Sequence, residues 1–184
     1  MTLLIVGLII FFTIHLVPAL TGLKRSLIGR LGENGYQGVF SLVSAVGLGL
    51  IIWGYTRADF VAAYDPPAWG RHATMLLVLP AFICLAAFNL KGRIKKTLRH
   101  PMLVGIILWG TGHLLANGDM ASVLLFGSFV AYAVLDILLA NAQGRVKTVE
   151  VTPVHDLYAV IGGVVVYGVV VLLHPYVIGV PVIV

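Results

Sequence analysis

Two histidines in this chain stand where an imidazole needs a reason to be. His15 and His113 each lie about twelve residues inside an apolar run, whereas His72, His100, His155 and His174 fall at run ends or in polar segments. Lipid cannot solvate an ionisable side chain, so such a group faces the bundle interior, a cavity or a cofactor. At about 1.5 Å per helical residue, each of the two lies roughly 18 Å along its helix. The helices run in opposite senses, so in a hydrocarbon core about 30 Å thick the two depths differ by only about 6 Å. Two neutral imidazoles from different helices at similar depth are what a six-coordinate haem iron requires of a protein. The alternative is that each histidine hydrogen-bonds a neighbouring helix. There is no Cys-x-x-Cys-His, so any haem is non-covalent, of b type.

The surroundings suit either reading. Gly105, Gly110 and Gly112 lie around Trp109 and His113, and Ala19 and Gly22 follow His15 by one and two turns. Small residues let a helix, or a flat macrocycle, approach the backbone closely. Asp136 is a further buried ionisable group, and its expected partner is Arg99 or His100. For haem propionates, Arg57 and Arg71 at one membrane face and Lys24 and Arg25 at the other are equal candidates. The lone thiol, Cys84, excludes an intramolecular disulfide and any Cys-x-x-Cys metal site.

These positions depend on the elements that carry them. Of 184 residues, 60% are hydrophobic and 10% charged, far fewer charges than the roughly 25% of soluble domains. The pattern predicts an all-α, polytopic membrane protein, a single domain over 1–184 with about six transmembrane helices. Their expected spans are 3–23, 38–55, 73–90, 101–117, 121–140 and 157–174. Pro80 is expected to kink the third, Pro101 to open the fourth, and Asn117-Gly118-Asp119 to form the turn after it. The polar stretches 24–37, 56–72, 91–100 and 141–156 are expected to be loops. The last ten residues, interrupted by Pro175 and Pro181, are expected at the interface, and glycines 162, 163 and 168 suit a close helix contact. The first run has no basic n-region or small-residue cleavage site, which suggests a retained helix and not a signal peptide.

The net charge of +5 does not point to nucleic acid here, because the cations flank apolar runs and report topology and headgroup contact. Lys24, Arg25, Arg30, Lys91, Arg93, Lys95, Lys96, Arg99, Arg145 and Lys147 fall in odd-numbered loops; only Arg57 and Arg71 fall in even ones. The positive-inside rule then puts both termini outside and the basic loops in the cytoplasm.

The stretch Arg99-His100-Pro101-Met102-Leu103-Val104-Gly105, continued through Trp109-Gly110-Thr111-Gly112-His113-Leu114-Leu115-Ala116-Asn117-Gly118-Asp119 to Phe126-Gly127, resembles the NnrU family. His15-Leu16-Val17-Pro18 followed by Leu23-Lys24-Arg25 resembles that family's first motif. The resemblance covers nearly the whole chain. It implies a bacterial inner-membrane protein linked to nitrite and nitric oxide metabolism in denitrification. The family is related to the 15-cis-zeta-carotene isomerases, membrane enzymes that use haem b. Their two histidines match His15 and His113, so the resemblance implies these as axial ligands, with Trp109 and Gly110 beside the cofactor. Gly110 stands where the isomerases carry a cysteine, which removes that alternative iron ligand. The Arg-His-Pro-x-x-x-Gly pattern is also similar to isoprenylcysteine carboxyl methyltransferases, but their paired glutamates are absent after the fifth helix.

Three functions follow as expectations: a haem protein of nitrogen-oxide metabolism acting by redox or sensing, a haem-dependent isomerase of a lipophilic polyene, and a haem-free assembly factor for a respiratory complex. The expected partners are membrane lipid and a lipophilic small molecule or nitrogen oxide.

Overall fold

A computed structural model describes residues 1–146 and 150–183; Lys147 of the basic-loop count lies outside these. Among the described residues seven helices form: α1 (Thr2–Leu16), α2 (Thr21–Thr56), α3 (Gly70–Phe88), α4 (Arg93–Leu98), α5 (Pro101–Ala116), α6 (Met120–Ala142) and α7 (Val154–Val177). A 3-10 turn, Val17–Ala19, joins α1 to α2. Among the described residues, five helices are long and apolar enough to span a membrane, and α5 is a shorter apolar helix. The protein is therefore a multi-pass, all-α membrane bundle.

The helix count matches the expectation, but two expected loops are helical. Residues 21–31 form the first arm of α2, which Gly32 then breaks with φ 71° and ψ 168°, a backbone shape that a side chain disfavours. Leu23, Leu27 and Leu31 recur every fourth residue beside Lys24, Arg25 and Arg30, the pattern of a helix lying on a membrane surface. In 91–100, the Asp156 carboxylate accepts from the backbone N–H of Arg93 (2.8 Å) and Ile94 (2.9 Å), capping α4. His155 Nδ1 accepts from Lys91 N at 3.0 Å, which gives this histidine a structural task.

The spanning helices are arranged as a row in which α1 pairs with α2, α6 follows, and α5, α3 and α7 complete it. Small residues set the close contacts. A Cβ at Gly7 would come within 2.6 Å of Ile51 N, and one at Gly47 within 2.9 Å of Phe11 N. On α5, Gly105 and Gly112 lie against α3, while Gly110 lies against Val130 and Phe126 of α6. Helix contacts thus account for the glycines around His113. Gly163 likewise brings α7 onto Ile83 of α3.

Candidate functional site

His15 lies at the last turn of α1. Its Nδ1 is 2.6 Å from the Phe11 carbonyl oxygen and so donates to it. His113 lies in the last turns of α5, and its Nδ1 donates to the Trp109 carbonyl at 2.8 Å. The same device occurs twice: an imidazole anchored to the carbonyl four residues earlier on its own helix. With Nδ1 carrying the proton, Nε2 carries the lone pair, the state in which neutral imidazole ligates a metal. Neither Nε2 has a hydrogen-bond partner among the described residues.

Both rings are stacked on phenylalanine. Phe11 lies 4.0 Å from His15 at an interplanar angle of 26°, and Phe126 lies 4.6 Å from His113 at 22°. Phe40 of α2 and Tyr132 of α6 complete the His15 surroundings at 5.2 and 6.2 Å. Trp109 lies 5.2 Å from His113 and packs edge-on to Phe126.

The helices bearing the two histidines do not touch among the described residues; α6 lies between them. Its rings at 126, 129 and 132, spaced three apart, form one aromatic face. Phe129 is 5.6 Å from Phe11, 5.0 Å from Phe12 and 5.7 Å from Trp109, and so bridges the two sides. Tyr132 marks the level of His15 and Phe126 that of His113, so the two differ by roughly 9 Å along α6 at about 1.5 Å per residue. The offset exceeds the expected one, and α1 ends at Leu16, short of its expected end, whereas α5 ends at Ala116 as expected. The chain motifs did not reveal this aromatic face; its three-residue spacing was the available signal.

The donor chemistry fits a haem at the His15 side. The stripe of α2 that faces α1 there contains Phe40, and on either side of it Tyr36 Oη and Ser44 Oγ are buried without a hydrogen-bond partner. Buried polar atoms are nearly always paired, so these two hydroxyls stand out as lacking a partner among the described residues. Among the described residues no cluster of three or more metal-ligating side chains occurs. A bis-imidazole iron site needs only two, and here α6 stands between them.

At the other end of α5, the loop before α3 secures His113. Ala63 N and Tyr64 N donate to Gly118 O at 2.7 and 3.0 Å, and Met120 N donates to Val61 O at 2.8 Å. The Tyr64 hydroxyl donates to the carbonyls of Leu114 and, at 2.9 Å, Asn117. Asn117 Nδ2 donates to His113 O at 2.8 Å. A Cβ on Gly118 would collide with Tyr64 O, so this glycine permits the clamp. Burial pushes the Tyr64 phenol up from its ordinary value, and the Asp119 carboxylate adds to the rise. Asp119 caps α6 through Ser122 N (2.9 Å) and Ser122 Oγ (2.6 Å), and Tyr55 Oη reaches the same hydroxyl at 2.9 Å.

Asp136 does not pair with Arg99 or His100. Its partner is Arg145, with Nη2 to Oδ1 at 3.0 Å. Gly144 takes φ 62° and Arg145 N bonds Ala140 O at 2.9 Å, a glycine-terminated helix end that folds residue 145 back along α6. His100 Nε2 instead lies 3.1 Å from Asn141 Oδ1.

A family model described as NnrU protein matches residues 3–182. No curated protein and no solved structure matches the chain. The chain belongs to the NnrU family.

Proposed function

We propose that this NnrU-family membrane protein binds one haem b non-covalently through His15 and His113 and serves nitrite and nitric oxide metabolism by redox or sensing chemistry. The observation that carries this reading is the repeated Nδ1 anchor, which leaves an unprotonated Nε2 on each imidazole. When bound, haem supplies a one-electron couple and an iron that interacts with nitrogen oxides. The chain's own residues do the rest. The Phe11 and Trp109 carbonyls fix the two tautomers, the stacked phenylalanines hold the rings, and the α6 face excludes water between them. In this reading the cations mark the cytoplasmic face of a bacterial inner membrane, with both termini periplasmic.

Gly110, packed on Val130, has no space for the thiol ligand of the related isomerases, which favours redox or sensing over isomerisation. One observation supports a haem-free reading: α6 and Phe129 fill the span between α1 and α5. There each histidine is an anchored helix-end residue, and the protein assists assembly of a respiratory complex.

An absorption spectrum of detergent-purified protein, air-oxidised and then dithionite-reduced, decides between them. Stoichiometric Soret and alpha bands are expected, and both are lost in His15→Ala and in His113→Ala. A featureless wild-type spectrum selects the haem-free reading. Unchanged bands in both variants overturn the ligand assignment.

A further inference from the structure

Two hollows flank the joint between α1 and α2, the first of them on the face of α1 opposite Leu4, Leu8, Phe11 and His15. The first is a groove of about 340 Å³ lined by Ile9, Ile10, Thr13, Ile14, Val17 and Val43. The second is a pocket of about 350 Å³ lined by Pro18, Thr21, Lys24, Arg25, Ile28 and Arg145. Val17 of the first lining and Pro18 of the second are consecutive residues of the 3-10 turn. The first hollow is apolar and runs toward the membrane centre. The second lies at the basic end and is cationic.

Two further facts make the second hollow more than a scatter of surface charge. Arg145 is held in place by Asp136, and its Nε is buried with no hydrogen-bond partner. An unpaired buried donor is costly until an acceptor arrives. Lys24, Arg25 and Arg145 bring three positive charges and Asp136 removes one, which leaves a clear excess for an anion. Basic pockets between membrane helices on the cytoplasmic side suit anionic headgroups, and Lys24 and Arg25 lie on the surface arm that ends at Gly32.

We propose that the two hollows form one site for an anionic glycerophospholipid. Its phosphate sits among Lys24, Arg25 and Arg145, and one acyl chain lies along the Ile9–Val17 groove. A zwitterionic lipid presents an ammonium to the same cations and is disfavoured. The site faces away from His15 and needs no haem.

Native mass spectrometry of delipidated protein, titrated with dioleoyl phosphatidylglycerol or dioleoyl phosphatidylcholine in detergent, tests this. One phosphatidylglycerol is expected to bind, with a preference of at least about tenfold. Each cation lost is expected to weaken it about fivefold, so Lys24→Gln/Arg25→Gln brings the two lipids close to parity. These side chains are at least partly exposed, so the double variant is expected to fold, and an unchanged unfolding temperature in phosphatidylcholine micelles checks that. Arg145→Lys keeps most of the preference. Thr13→Trp, which fills the groove, weakens both lipids alike. Equal binding of the two lipids by wild type overturns the proposal. So does an undiminished preference in the double variant, or displacement of the lipid by millimolar inorganic phosphate, which would mark a simple anion site. Loss of haem absorbance with no loss of lipid preference in the double variant would assign the cations to the propionates and also overturn it. A wild type without haem that still prefers phosphatidylglycerol supports the proposal while the haem reading fails.

Discussion

At the end of α5, Asn117 and Gly118 are bonded into the loop before α3. At the end of α1, Pro18 interrupts the helix and the Tyr132 hydroxyl donates to the half-buried His15 carbonyl at 3.2 Å. Proline has no N–H to continue the helical ladder, so the chain tightens to a 3-10 turn there. Gln143 Nε2 holds the next segment through Ala19 O at 3.0 Å. The local imidazole anchors are the same, but one lies in a clamp of backbone bonds reinforced by Tyr64 and Asn117, and the other in a joint held by two side chains. This difference teaches that presenting a ligand and fixing its position are separate tasks, performed by different residues.

The largest effect breaks what the two sides share. Haem retention is expected to fall more than about 100-fold in His15→Ala and in His113→Ala, since even groups behind metal ligands are worth 10–100-fold. Bands that survive in one variant only would make the pair unequal as ligands as well as in setting.

Next is the clamp. Gly118→Val drives a side chain into the loop carbonyl of Tyr64, and a loss of about 3 kcal/mol is expected in denaturant unfolding. An equivalent change at Gly22, where a Cβ meets nothing within 4 Å, is expected to cost far less. Equal losses would dissolve the contrast between the two ends.

Tyr64→Phe removes two carbonyl contacts, at a cost of about 1 kcal/mol. Hydrogen exchange should quicken at Ala63, Tyr64 and Met120, whose N–H groups make the clamp, and not at Leu20. The folded-state pKa of this phenol lies above its unfolded value of 10.0. Its contribution is therefore full below about pH 10 and lost as pH rises through the folded value. The phenylalanine variant should lack this component of alkaline unfolding. A wild type without it would show the phenol to be idle.

The smallest effect sharpens the joint. Tyr132→Phe costs about 0.6 kcal/mol, typical of a hydrogen bond between membrane helices. It should alter the haem spectrum slightly, by freeing the His15 carbonyl, and leave exchange at the clamp unchanged.

The helix number was legible because uninterrupted apolar runs have one structural solution in a bilayer. Depth singled out His15 and His113 but not the helix that lies between them, and Asn117-Gly118-Asp119 does part α5 from α6, though as an extended link and not a tight turn. The arm 21–31 was not legible, because its cations looked like loop residues when they lie on a helix whose leucines recur every fourth residue. The Asp136 partner was missed because Gly144 redirects Arg145, although a glycine after an apolar run is a recognisable helix stop. The aromatic face of α6 was hidden among other apolar residues. Only the packing order α1, α6, α5 gives 126, 129 and 132 their importance.

The shortness of α5 has a consequence for the bilayer itself. Sixteen residues give roughly 24 Å of helix, about 6 Å less than an average hydrocarbon core. At its His113 end the helix passes into paired backbone, the Ala62–Asp119 bridge and the bonds to the Gly118 carbonyl. This is hydrophobic mismatch built into one helix of the bundle: lipids beside α5 must thin or tilt to meet it.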